Sequence, residues 1–256
     1  MKNYLFYDIF TIYGRDMKHF FKDKSYLFMG ITQPILWFLL LGFGLNGLIG
    51  ANPNLGVSNY ITYILPGIMI MTAMSGGLFG GAGICNDVRF GYINKMLSSP
   101  ISRSAIILGK TLSSVIQTCF QVFIVVIFSL CFGAKIPFNL NLLWALIFLS
   151  TFCSQMCSIG TLAAVKLKNH QAVYGFLGTL NVPLMFTCSA FFPTETMPSV
   201  MKVFSYINPL TYAINSIRGV IYGANSNLIL NAAVLFFETI FFISMSVIVF
   251  KKEYEG

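Results

Sequence analysis

The chain reads as an all-α integral membrane protein with six transmembrane helices. Three observations carry that reading. Only 9% of the residues are charged and 56% are hydrophobic, against roughly 25% charged in a soluble domain, and mean hydropathy is +0.77. Apolar runs long enough to cross about 30 Å of hydrocarbon, which takes about 20 helical residues, stand at 25–49, 60–84, 105–132, 141–165, 171–192 and 228–250. Thirteen of the sixteen Lys and Arg residues lie before span one, between spans two and three or, as Lys110, in the opening turns of span three, between spans four and five, or after span six; Lys135, Lys202 and Arg218 fall elsewhere. The excess of positive residues in alternate segments puts both termini on the cytoplasmic side.

Residues 1–24 are charged throughout, with no compact apolar stretch leading to a small-residue cleavage site, so a cleavable signal peptide is not expected. Leu5, Phe6, Ile9, Phe10, Ile12, Tyr13, Met17, Phe20 and Phe21 recur near helical spacing, with Asp8, Arg15, Asp16 and Lys22 between them. That pattern predicts an amphipathic helix on the inner membrane surface rather than an unstructured tail. Spans one and two are joined by an external turn at Asn52–Gly56, and spans three and four by another at Gly133–Asn141. The segment 193–223 is apolar enough to tempt a seventh span. Asn208–Pro209 interrupts it, Asn215 and Arg218 are costly at mid-membrane, and a seventh span would move Lys251 and Lys252 outside. Two short helices meeting near Asn208–Pro209 fit better, Pro209 opening the second. Leu210, Ala213, Ile214, Ile217, Val220 and Ile221 then form one stripe, and Asn215 and Arg218 turn toward water.

Between spans two and three the stretch "DVRFGYINKMLSSPISRSAIILGK" brings four basic residues into nearly uncharged surroundings. Asn86 suits a helix N-cap, and Asp87 would place an acid where the helix dipole favours it. Phe90, Ile93, Met96 and Leu97 share one side, with Arg89, Asn94 and Lys95 elsewhere; Pro100 stops the helix near Ser98. A short, rigid amphipathic helix at 86–98 on the cytoplasmic face follows.

The order Arg89, Gly91, Leu97, Ser99-Pro100, Arg103 and Gly109-Lys110 resembles a motif of the permease subunits of type-2 ABC transporters, a group that includes daunorubicin-type, nodulation-factor and polysaccharide exporters. Phe192-Pro193, Pro198, Asn208-Pro209-Leu210-Thr211-Tyr212 and Arg218 are similar to a second motif of that family. One departure is that Arg89 is flanked by Val88 and Phe90, with the acid two residues earlier at Asp87. The resemblance covers nearly the whole chain. It implies an exporter half without its motor, working with two separate ABC ATP-binding subunits, which would hold the ATP and Mg, and with a second permease copy or paralogue. Residues 86–98 would be the coupling helix, with Asp87, Arg89, Phe90, Gly91, Ile93, Lys95, Leu97, Ser99, Pro100 and Arg103 as the residues that couple the chain to the ATPase. Residues 193–223 would form outer re-entrant helices marked by Pro193, Asn208, Pro209, Tyr212 and Arg218. The location implied is the cytoplasmic membrane of a prokaryote, and the substrate an amphiphilic or lipid-like molecule.

Other functions find less support. A net charge of +8 spread over short loops beside spans suits anionic headgroups rather than nucleic acid. "GFGLNG" at Gly42–Gly47 lacks the strand and helix of a dinucleotide site, and "SAIILGKT" has Ser104 where a phosphate-binding loop needs its first Gly, so no ATPase or other catalytic site, cofactor or metal is expected in this chain. Cys85 is placed in the cytoplasmic loop, and Cys153 and Cys157, one turn apart, suit packing. A self-contained secondary transporter or channel is the alternative; it needs intramembrane ionisable groups, and Glu238 alone lies well inside a span, as a candidate for the path or for packing. The Gly-rich "SGGLFGGAG" at Ser75–Gly83 permits close helix approach either within one subunit or at a permease dimer. Asn181 and Pro183 predict a kink in span five.

Overall fold

The computed structural model describes residues 5–49, 60–99, 101–137, 139–191, 194, 197–223 and 227–254; Asn52–Gly56, Pro100, Phe192 and Pro193 lie outside the described residues. The chain runs through α1 (Leu5–Lys22), α2 (Lys24–Ile49), α3 (Tyr60–Arg89), α4 (Tyr92–Leu97) and α5 (Arg103–Cys131). It continues through α6 (Asn141–Leu167), α7 (His170–Phe186), α8 (Ser199–Ile207), α9 (Pro209–Tyr222) and α10 (Leu228–Tyr254). No strand occurs among the described residues. Within them α2, α3, α5, α6 and α10 are long and apolar enough to cross a membrane; α7 is shorter, at 17 residues.

The central element is α3, packed against α2, α5, α6, α7 and α9. Its glycines explain how one helix accepts so many neighbours. A Cβ on Gly77 or Gly81 would strike the backbone of α6 at Cys153 and Cys157, and one on Gly160 of α6 would strike Leu78 O. On the next face, Gly76 and Gly80 leave room for Thr118 and Ser114 of α5. The Gly run therefore makes close helix packing inside one subunit, where small residues let backbones approach. Polar side chains at these contacts satisfy themselves locally: Thr111, Ser113 and Ser114 donate to the carbonyls of Ile107, Gly109 and Lys110 at 2.9, 2.8 and 3.0 Å.

Amphipathic α1 lies along α5. It buries Ile12 and Phe20 and leaves Phe6, Phe10 and Phe21 exposed. Gly109 of α5 admits the Ile12 side chain, since a Cβ there would lie 2.9 Å from the Ile12 Cβ.

Span five departs from expectation. Helix α7 ends at Phe186, where Pro183 O takes both the backbone N–H of Thr187 at 3.0 Å and its hydroxyl at 2.8 Å, and residues 187–191 are not helical. Cys188, Ser189, Ala190 and Phe191 are nonetheless buried. Tyr60 Oη donates to Phe191 O at 3.1 Å, and Arg218 serves Ser189 O and Ala190 O.

Helices α8 and α9 meet at Asn208–Pro209, with Pro209 in the first turn of α9. Asn208 caps in two directions. Its Oδ1 accepts from Leu210 N at 3.0 Å, while its Nδ2 donates to Leu184 O at 2.7 Å and to Thr187 Oγ1 at 2.9 Å, securing the C-terminal end of α7. Tyr212 Oη donates to Tyr206 O at 2.6 Å, holding the two helices together. The apolar stripe of α9 is buried at Leu210, Ala213, Ile214, Ile217 and Ile221, with Val220 partly buried.

The expectation that Arg218 faces water is overturned. Its side chain is buried, at 8% exposure, with Nη1 on Ser189 O at 2.8 Å and Nη2 on Tyr63 O and Ala190 O, each at 3.2 Å. The guanidinium lies 3.8 Å from the centre of the Tyr63 ring. The non-helical end of span five frees carbonyls for this cation, which outweighs the attraction of water. Asn215 is also partly buried, and its Oδ1 accepts from Ser189 Oγ at 3.2 Å.

Candidate functional site

The segment after span two is built differently from its sequence expectation. Asn86 does not cap a new helix; α3 runs through it to Arg89. Its amide Nδ2 instead donates to Tyr174 Oη at 3.3 Å. The break comes at Gly91, whose φ of 72° is left-handed, a conformation that glycine adopts without steric cost. The independent helix is thus α4, six residues long, rather than 86–98. Ser98 and Ser99 close it by donating their hydroxyls to Asn94 O at 2.6 Å and Met96 O at 2.7 Å. Ser102 Oγ then caps α5, accepting from Ala105 N at 3.3 Å.

Asp87 therefore stands in the last turn of α3, where the helix dipole opposes an anion. Two cations reverse that penalty. Lys110 Nζ of α5 donates to Asp87 Oδ2 at 2.5 Å, and Arg15 Nη2 of α1 donates to the same oxygen at 3.1 Å. Arg15 also pairs with Asp16 at 2.7 Å, and Lys110 lies 3.7 Å from Asp16. Burial lowers the Arg15 pKa, but the charges of Asp16 and Asp87 outweigh it and hold the group above its ordinary value. The Arg15 guanidinium also reaches α4, 5.7 Å from the Tyr92 ring centre and 3.9 Å from Met96 Sδ. One network ties α1, α3, α4 and α5 together.

The sequence-derived coupling residues divide accordingly. Ile93 is fully buried, with Leu97 and Met96 packed against the core, so they anchor α4. Arg89, Phe90, Tyr92, Asn94 and Lys95 are exposed, and they form the outward rim of the elbow. Phe90 does not share the apolar side of Ile93, because the turn at Gly91 separates them; it is 68% exposed. Asp87 does not join the rim either, being engaged inside. Ser99 and Arg103 are partly buried, and Cys85 is buried rather than facing the cytoplasm. Arg15, Asp16 and Tyr174 belong to this site but were not singled out for it in the sequence. The only signal was the charge on an otherwise apolar helix α1.

One cavity adjoins the elbow, and a second lies beyond it. A chamber of about 660 Å³ is lined by the ion network together with Asn86, Phe90, Tyr92 and Tyr174. An apolar cleft of about 280 Å³ lies at the level of the spans, between α2, α3 and α7, lined by Met29, Trp37, Met71, Met74 and Met185, with Gln33, Gln121 and Asn181 among the polar groups. Glu238 lines neither cavity. Its Oε2 accepts from Gln155 Nε2 of α6 at 3.0 Å, a contact between neighbouring helices. No group of three or more His, Cys, Asp or Glu side chains suited to a metal occurs among the described residues.

Long apolar helices, an amphipathic helix bound to them by charge and a rigid elbow beyond α3 define a multi-pass helical membrane protein. The chain belongs to the ABC-2 type transporter family, whose model matches residues 7–222. It is similar to proteins named transport permease ycf38: 32% identical over 193 residues in Cyanophora paradoxa, covering 75% of this chain and 66% of that one. In Pyropia yezoensis the figures are 30% over 230 residues, 87% and 77%. It is 21% identical over 194 residues to a daunorubicin resistance ABC transporter permease protein, DrrB1, of Streptomyces coeruleorubidus, covering 75% of this chain and 67% of that one. The matched region spans just under two thirds of the first of these relatives.

Proposed function

We propose that the chain is the membrane permease subunit of an ATP-driven exporter, forming part of the path for an amphiphilic or lipid-like substrate. Two separate ATP-binding subunits, carrying ATP and Mg, would drive it, and a second permease, identical or related, would complete the path. The observation that carries this reading is the elbow. Its outer rim exposes Arg89, Phe90, Tyr92 and Lys95, while the same segment is braced from within by Asp87, Arg15 and Lys110. Exposed aromatic and basic residues on a rigid support suit a protein-docking knob, and bracing lets a push on the knob reach the spans.

In this reading α7 is the fifth of six crossings. Its 17 residues give roughly 25 Å at 1.5 Å per residue, and Thr187–Phe191 continue it. Non-helical backbone is tolerated at membrane depth where it is buried in protein, and the carbonyls of Ser189, Ala190 and Phe191 have partners. Six crossings put both termini in the cytoplasm of a prokaryote, α1 on the inner membrane surface and α8–α9 as a re-entrant pair on the outer side.

The test is recruitment of an ATP-binding subunit encoded beside this gene. The purified chain alone is expected to hydrolyse no ATP and to bind that subunit. Arg89→Glu is expected to weaken the association about tenfold, as reversed rim charges do, with membrane insertion unchanged. Transport by the chain alone in liposomes would overturn the reading.

A further inference from the structure

The polar chamber and the apolar cleft share two lining residues, Phe79 of α3 and Tyr174 of α7. Their rings are nearly parallel, 6° apart in plane, with centres 5.9 Å apart. Both side chains are only partly buried, as befits a wall with space on two sides. The stretch of α3 around them supplies little other bulk, because Gly76 borders the cleft and Gly80 and Gly83 border the chamber. His170 also stacks on Tyr174, with centres 4.4 Å apart.

We propose that Phe79 and Tyr174 form an internal gate between the charged chamber and the apolar cleft, positioned by Asn86. The proposal rests on the permease reading and adds where an amphiphile would be divided: polar end among Arg15, Asp16, Asp87 and Lys110, apolar part beyond the rings. Chemistry on the two sides matches that division. The chamber holds the paired acids and bases, while Met29, Trp37, Met71, Met74 and Met185 supply adaptable apolar surface in the cleft.

The gate is also joined to the elbow. Asn86 Nδ2 donates to Tyr174 Oη, the neighbouring Asp87 sits in the ion network, and the chain turns at Gly91. Displacement of the end of α3 by a docked motor would shift Asn86 and loosen Tyr174. At 3.3 Å this bond is near the long limit for a hydrogen bond, so a modest shift would release it.

Thiol labelling tests the gate without nucleotide or partner, which keeps its failure separate from failure to recruit an ATPase. Ser75, one helical turn from Phe79, lines the cleft. In the full chain with its six native cysteines replaced, held in nanodiscs, Ser75→Cys would be exposed to the cationic reagent methanethiosulfonate-ethyltrimethylammonium. Labelling is expected to be slow, and to accelerate about tenfold when Phe79→Ala or Tyr174→Ala removes the stack. Tyr174→Phe, which keeps the ring and loses the Asn86 bond, should give a smaller acceleration. Asn94→Cys on the exposed rim should label at one rate in every background, reporting an intact elbow. Should either alanine variant fail to fold, Phe79→Leu, which keeps apolar bulk but not the stack, is expected to accelerate labelling several-fold. Unchanged Ser75→Cys labelling in the folded variants, or labelling as fast as Asn94→Cys with both rings present, would overturn the gate.

Discussion

Arg218 shows how a charged side chain is accommodated where the surrounding chain is apolar. Three carbonyls and the Tyr63 ring surround it, with no carboxylate among its partners in the described residues. Hydrogen bonds to a charged group contribute about 1.5–3 kcal/mol each, and the planar fork serves several acceptors at once, which an ammonium on a flexible stem cannot reproduce. Arg218→Lys is therefore expected to destabilise the protein by about 2–4 kcal/mol, read as a lower melting temperature in detergent, with amide exchange rising first in α9. The glycines make a second residue-level case. Gly81→Ala and Gly160→Ala would press a methyl group into the facing backbone and are expected to cost about 1–3 kcal/mol through overpacking. Gly175→Ala and Gly178→Ala, with nothing within 4 Å of the added carbon, should leave the melting temperature nearly unchanged. Equal effects in the two pairs would refute close α3–α6 packing.

Among the helices, one long-range tie is the charge network that fastens α1 to α3 and α5. Asp87→Asn removes the shared acceptor of Arg15 and Lys110 and leaves one partly buried and one buried cation underserved. Faster amide exchange throughout α1 is expected, with α6 unaffected; protection of α1 equal to that of the unmodified chain would show that Ile12 and Phe20 hold the helix without the charges. A second tie joins the end of α6 to the end of α10, where Lys168 pairs with Glu253. The hydrogen bond and charge of Lys168 hold Glu253 below its ordinary value of 4.5, and those of Glu253 hold Lys168 above 10.5. The sign follows from each group. Glu253 contributes fully above its ordinary pKa and loses its contribution as pH falls through the depressed value. Lys168 contributes fully below 10.5 and loses it as pH rises through the raised value. Lys168 is exposed and Glu253 partly exposed, so the tie is weak and screened by salt. Proteolysis of the last turn of α10 should increase below about pH 4 and in high salt, and Lys168→Met should abolish both dependences.

For the whole molecule, the division between sequence and tertiary structure follows the range of the forces involved. Hydropathy and periodicity are local, so the apolar spans, the amphipathic α1 and the break at Asn208–Pro209 were legible in the residues themselves. So was the basic interruption after span two. Its internal build was not: Asn86 and Asp87 have the residue types of a helix start, and no local pattern reveals that Tyr174 binds one and that Arg15, 72 positions away, binds the other. The end of span five was misread for the same reason, since its apolar composition continues past Phe186 while the partners of its freed carbonyls, Arg218 and Tyr60, lie far along the chain. Which face each glycine of Ser75–Gly83 presents, and which two rings separate the cavities, likewise depended on neighbours far along the chain. Sequence alone determined that this is a multi-pass helical membrane protein with a charged elbow, because transfer of side chains out of water acts residue by residue. Tertiary structure alone decided where its buried charges rest, because a charge inside an apolar fold goes wherever distant backbone and side chains satisfy it.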